Sequence, residues 1–178
     1  MKKLITRSCE EIMTTVYKPI EFVIDGLLAQ GLYILAGAPK VGKSWLALDM
    51  CLSIAKGEKI LGLKTSQGTA LYLCLEDSYA RIQNRLYELT DEPTEMLYFS
   101  VMSDPIGGGL EEQIEGFVIE HRDLKIVFID TLQMVRSDTD SSYGSDYKEL
   151  SVLKTLADKL EIAIIVVHHT RKCKDTDP

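Results

Sequence analysis

Apolar positions along this chain fall into short, nearly unbroken runs separated by stretches with helical spacing. Leu32–Ala36 is the first run. Lys43–Lys56 after it has helical character, and Gly57 stands where a glycine ends a helix. Thr69–Leu75 is the second run. Ser78–Leu89 follows as a polar helix with Ile82, Leu86 and Leu89 on one stripe and Ser78 as its N-cap. Leu97–Met102, Lys125–Ile129 and Ile162–Val167 are the remaining runs. Leu110–His121 and Ser145–Leu160 predict the helices between them, the latter with Leu150, Leu153, Leu156 and Leu160 on its inner face. Runs that are apolar throughout predict strands buried on both faces, and intervening helices predict crossover connections. The expected fold is therefore α/β, a mainly parallel five-stranded sheet with helices on both faces.

Residues 1–31 read differently, as a lead-in segment. They hold a short strand, Phe22–Ile24, and a Gly26/Gly31 pair that turns the chain into the first core strand. With no repeat and no linker, residues 1–178 read as one domain. The end, in the polar stretch TRKCKDTDP soon after the fifth run, resembles a cut, so further C-terminal strands are expected to be missing.

Composition narrows the class without naming it. A chain of 178 residues with 46% hydrophobic and 26% charged positions matches an ordinary globular domain and excludes disordered and collagen-like chains. No apolar run reaches the roughly 18 residues of a membrane helix, and no apolar h-region follows Lys2 and Lys3. The net charge of −7 argues against a dedicated electrostatic binder of nucleic acid, while Arg171, Lys172 and Lys174 form a local basic cluster. Cys9, Cys51, Cys74 and Cys173 form no C-x-x-C pair, so no zinc site is expected and a reducing, cytoplasmic compartment is.

The chemistry is carried by the ends of the apolar runs. Gly37-Ala38-Pro39-Lys40-Val41-Gly42-Lys43-Ser44 fits G-x-x-x-x-G-K followed by Ser, between a strand and a helix. Glycines let the backbone wrap a phosphate with several N–H groups pointing inward, and the helix N-terminus adds partial positive charge. In such a loop Lys43 reaches the β- and γ-phosphates of a nucleotide and the Ser44 hydroxyl ligates Mg²⁺. Asp130, ending the fourth run, places a carboxylate where ligands collect in open α/β sheets and would hold Mg²⁺ through water. Glu76 and Asp77 end the second run; Glu76 is expected to polarise the attacking water and Asp77 to cap the next helix. His168 and His169 end the fifth run, and because neighbours on a strand face opposite ways, at most one of them faces the nucleotide. Arg81 and Arg85 share one helix face beside Glu76. Arg136–Tyr147 reads as a polar loop and Gly107–Gly109 as a flexible lead-in to the next helix.

This combination resembles the RepA-type replicative helicases, RecA-superfamily ATPases of plasmids and phages also described as AAA-type ATPases. The resemblance rests on the phosphate loop, Glu76-Asp77, Arg85, Asp130-Thr131-Leu132 and His168-His169, and runs from about Ile24 to about Lys172. It implies a RecA-like core that binds and hydrolyses ATP with Mg²⁺, assembles as hexameric rings and moves on single-stranded DNA. It also implies that Arg85 is an active-site arginine and that His168 or His169 senses the γ-phosphate. The family's arginine finger lies on later strands, beyond the histidines. Two other readings compete with a helicase motor: a recombinase or KaiC-like ATPase of the same superfamily, and a nucleotide-gated assembly module that hydrolyses little.

Overall fold

The protein is described by a computed structural model covering residues 3–136 and 143–170, with backbone only over 143–146. A five-stranded, fully parallel sheet forms its centre. The strands are β3 (Gly31–Gly37), β4 (Thr69–Cys74), β5 (Leu97–Ser100), β6 (Leu124–Asp130) and β7 (Ala163–His169), in the spatial order β3-β7-β6-β4-β5. Before them, β1 (Phe22–Ile24) pairs antiparallel with β2 (Leu28–Ala29), and Gly26 in the left-handed region makes the turn between them.

Helices cover both faces, as the pattern of runs requires. α2 (Lys43–Lys56) and α3 (Tyr79–Leu89) pack Ala47, Leu48, Ile54 and Ile82 against Tyr72, Ile126, Phe128 and Ile165 on one face. α4 (Leu110–Glu120) and α5 (Tyr143–Leu160) pack Leu110, Ile114, Leu153 and Leu156 against Leu71, Val127, Ile129 and Ile164 on the other. Side chains such as Leu153 and Ile114 have almost no exposed surface, so truncating one to Ala would cost about 2–5 kcal/mol. Successive residues of β4 and β6 thus go alternately to the two cores. That is why these strands are apolar throughout rather than alternating.

The differences from the sequence reading have local causes. β3 is only half-buried, with Ile34 51% exposed, because it is an edge strand with, among the described residues, a neighbour on one side alone. Ser78 does stand at the N-cap of α3, but its hydroxyl makes no capping bond; its N–H donates to the Asp77 carboxylate instead. The polar loop expected over Arg136–Tyr147 is shorter at its end, because α5 starts at Tyr143; residues 137–142 lie outside the described residues, and a 3₁₀ turn, Leu132–Val135, precedes the loop. Arg136, at its start, is buried against Glu149 of α5, 3.2 Å away. Gly107 and Gly109 both take positive φ, and Gly109 is the N-cap of α4. Arg171, Lys172, Cys173 and Lys174 lie outside the described residues.

The lead-in also contains a helix that the apolar pattern did not predict, α1 (Cys9–Thr14). Its signature was present as a capping box: Ser8 Oγ accepts from the Glu11 N–H, and the Glu11 carboxylate accepts from the Ser8 N–H. It buries none of its side chains, so hydrophobic periodicity had nothing to register.

Candidate functional site

The carboxyl ends of four neighbouring strands meet at one end of the sheet. β3 leads into the glycine loop, β4 into Glu76, β6 ends at Asp130 and β7 at His169. Between them lies a cavity of about 430 Å³, lined by Lys40, Ser44, Tyr72, Cys74, Glu76, Asp77, Arg81, Arg85, Asp130 and His169. A more apolar cavity of about 370 Å³ lies elsewhere, between α2, α3 and β5, and lacks such converging polar groups.

Local sequence builds the loop wall. Lys40 (φ 64°) and Gly42 (φ 93°) both adopt the left-handed region, bending residues 37–44 into a concave turn; only Gly takes this conformation without strain. Gly42 is the N-cap of α2 and brings no side-chain capping bond, so the helix presents its N-terminal N–H groups and partial positive charge at the loop. The Lys43 stem is buried. Its ammonium donates to Gly37 O at 3.0 Å and Ala38 O at 2.8 Å, and lies 3.1 Å from His169 Nδ1. A charged lysine can only donate, so His169 Nδ1 accepts and its proton resides on Nε2. Strand register sets this contact: His169 pairs with Gly37 across β3 and β7, and the Thr170 N–H donates to Gly37 O at 3.1 Å. Both histidines are exposed, but only His169 lines the cavity and lies against Lys43.

Register also builds the acid wall. Cys74 of β4 pairs with Asp130 of β6, and the Leu75 N–H donates to Asp130 O at 2.8 Å, so Glu76 and Asp130 emerge side by side. Each acid is held by a hydroxyl from the other strand's neighbourhood. Tyr72 Oη donates to Asp130 Oδ2 at 2.8 Å, and Thr131 Oγ1 donates to Glu76 Oε1 at 2.9 Å. The Asp130–Thr131 peptide is cis. Burial first, and then the Asp130 charge, push the Tyr72 phenol far above its ordinary pKa, so it stays a protonated donor. Burial likewise raises the Cys74 thiol, helped by the nearby Asp130 and Asp77 charges.

Arg85 reaches the cavity from α3 but is already engaged. Its guanidinium pairs with Asp77 at 2.5 Å and stands 5.9 Å from the centroid of Trp45, the chain's one tryptophan. Arg81 lines the same cavity. The sequence reading did not single out Tyr72, and it quoted Thr131 only within Asp130-Thr131-Leu132, with no role of its own. Tyr72 lay within an apolar run, and its role is visible only once β4 and β6 are in register.

The donor set fits a nucleotide polyphosphate with Mg²⁺. Left-handed loop residues, an uncapped helix N-terminus and a lysine suit phosphate, and a hydroxyl with one carboxylate suits a hydrated Mg²⁺. Among the described residues no cluster of His, Cys, Asp or Glu forms an all-protein metal cage, and Mg²⁺ sites that share phosphates need none.

Fold and site together define a RecA-like P-loop nucleotide-binding core. The chain belongs to the AAA domain family, whose profile matches residues 10–175. It is 28% identical over 158 residues to the DNA repair protein RadA of Helicobacter pylori, an alignment covering 86% of this chain and 32% of RadA. It is 33% identical over 85 residues to the mouse DNA repair protein XRCC3, covering 43% of this chain and 23% of XRCC3. The chain thus spans a third or less of the length of these relatives. No helix among the described residues is long and apolar enough to cross a membrane.

Proposed function

We propose that residues 1–178 form a single ATPase domain that binds Mg-ATP at Gly37–Ser44 and hydrolyses it, as part of a motor acting on single-stranded DNA. The observation that supports this most is the meeting of the glycine loop, Asp130, Glu76 and His169 around one cavity. The backbone N–H groups of Gly37, Ala38, Lys40, Val41 and Gly42 and the Lys43 ammonium hold the phosphates, with Pro39 stiffening the turn. Ser44 Oγ and, through water, Asp130 would hold Mg²⁺. When bound, Mg²⁺ would neutralise charge on the phosphates. Glu76 takes the proton of the attacking water, with Thr131 restricting the rotation of its carboxylate. His169, already against Lys43, senses the γ-phosphate end of the cavity. Arg85 stabilises developing charge on release from Asp77.

The motor reading follows the resemblance to RepA-type helicases, working as a homo-oligomeric, hexameric ring in the cytoplasm. A second reading has comparable support, because two relatives are named as DNA repair proteins: a recombinase-like or KaiC-like ATPase of the same superfamily. Phosphate release by the full-length protein, with and without single-stranded DNA, tests the common part. Strong stimulation by DNA supports both, whereas tight binding with negligible turnover in either condition would leave a nucleotide-gated assembly module. Displacement of a strand from a forked duplex favours the helicase, and strand exchange between homologous DNAs favours the recombinase.

A further inference from the structure

Tyr72 is the polar residue of this site that no sequence motif announces. It lies in the middle of β4 with 1% of its surface exposed, its ring flanked by Phe128 and Phe99 at centroid distances of 5.8 and 6.2 Å. Those neighbours fix the ring and therefore the direction of its hydroxyl. Cys74, not Tyr72, pairs with Asp130, so Tyr72 and Asp130 are diagonal neighbours on the same face of the sheet, a separation that a long side chain spans. The hydroxyl donates to Asp130 Oδ2 at 2.8 Å, and its oxygen lies 3.3 Å from the main-chain carbonyl oxygen of Ser44. One phenol group thus touches both walls of the cavity, the end of β6 and the first turn of α2.

Energetics point the same way. A buried hydroxyl in an apolar strand is unfavourable unless it is hydrogen-bonded, and Phe would fill the same volume without that cost. What the hydroxyl adds is a charge-assisted bond to one carboxylate oxygen, which restricts rotation of Asp130 and leaves the second oxygen for another partner.

We propose that Tyr72 is a positioning residue that orients the Asp130 carboxylate and sets its distance from Ser44, so that both face one Mg²⁺. This rests on the nucleotide reading above and deepens it, because it assigns part of the site's metal affinity to a residue outside the phosphate loop and outside the acids.

The test separates metal from nucleotide. Binding of a non-hydrolysable ATP analogue is measured by calorimetry with EDTA present and then across a Mg²⁺ titration, for the parent and for Tyr72→Phe, with circular dichroism confirming that both are folded. Tyr72→Phe is expected to bind the metal-free analogue within twofold of the parent, yet to need about three- to tenfold more Mg²⁺ for half-maximal enhancement of binding. In an Asp130→Ala background the same change should shift the Mg²⁺ requirement no further, since the partner is gone. An unchanged Mg²⁺ requirement overturns the proposal. So does an equal loss of affinity with and without Mg²⁺, or an undiminished Tyr72→Phe effect in the Asp130→Ala background, each of which marks a purely structural hydroxyl. A parent that binds no nucleotide under any condition overturns the nucleotide reading itself, and this proposal with it.

Discussion

The two walls of the cavity are made in opposite ways. The loop wall is contiguous: residues 37–44 and the first turn of α2 supply N–H groups, the lysine and the serine from one short stretch of chain. The acid wall is assembled: Glu76 and Asp130 are far apart in sequence, and parallel register between β4 and β6 brings them together. Hydroxyls lace the acid wall, Tyr72 to Asp130 and Thr131 to Glu76, whereas main-chain carbonyls and His169 hold Lys43. The difference predicts a division of labour. Damage to the loop wall should fall on binding, and damage to the acid wall on turnover and metal use.

Glu76→Gln should show the largest effect. Turnover is expected to fall by roughly 10²-fold or more while nucleotide affinity stays near the parent value, because a general base acts in the chemical step. Steady-state phosphate release beside calorimetry measures both. Asp77→Asn should cost less, since the Asp77 carboxylate is spent on Arg85 and the Ser78 N–H. A larger loss for Asp77→Asn would show the two acids in exchanged roles. Lys43→Ala belongs to the other wall and should weaken binding by about tenfold or more, which is about 1.4 kcal/mol. Equal affinity of the variant and the parent would end the assignment of phosphates to this loop.

Subtler changes probe the lacing. Thr131→Val keeps the branched shape and removes the donor to Glu76, so turnover should drop by about three- to tenfold with affinity unchanged. Thr131→Ser should restore most of it, and a Ser variant as slow as the Val variant would mean that the methyl group, not the hydroxyl, matters. The smallest signal is expected at Cys74, which stands opposite Asp130 and is 4% exposed. Burial and nearby negative charge keep this thiol protonated, and burial does the same for Cys51. A thiol reagent at neutral pH should therefore modify exposed Cys9 and spare Cys51 and Cys74 until denaturant is added, as read by peptide mass mapping. Rapid native labelling of Cys74 would show that the acid wall opens.

Local signals explain how much of the molecule was legible from its sequence. α2 was read at the bounds it has, because the phosphate loop starts it and Gly57, at φ 71°, stops it. The five strands were found because burial on both faces removes polar residues from them. Their ends shifted by at most two residues, in part because the strand backbone runs on into polar or glycine positions such as Gly37, Asp130 and His169. α1 escaped since an exposed helix carries no apolar stripe, and the half-exposure of β3 escaped since strand order is not written in any one strand. Among the candidate residues, the loop was readable as a unit. For the two histidines the sequence left a choice, and the pairing of His169 with Gly37 resolves their placement.

By itself, then, the sequence determined the class of the fold, the phosphate-type loop and the acids at the strand ends, because each depends on residues adjacent in the chain or on the burial of a single element. The strand order β3-β7-β6-β4-β5 and the register between its members were decided only by tertiary structure. From those follow the bond of Tyr72 to Asp130, that of Thr131 to Glu76, the seat of His169 on Lys43 and the engagement of Arg85 by Asp77 beside Trp45. The physical reason is one of range. Backbone conformation and burial are set by near neighbours, but a hydrogen bond between side chains acts only within about 3 Å, and that separation exists once the long-range contacts of the sheet have formed.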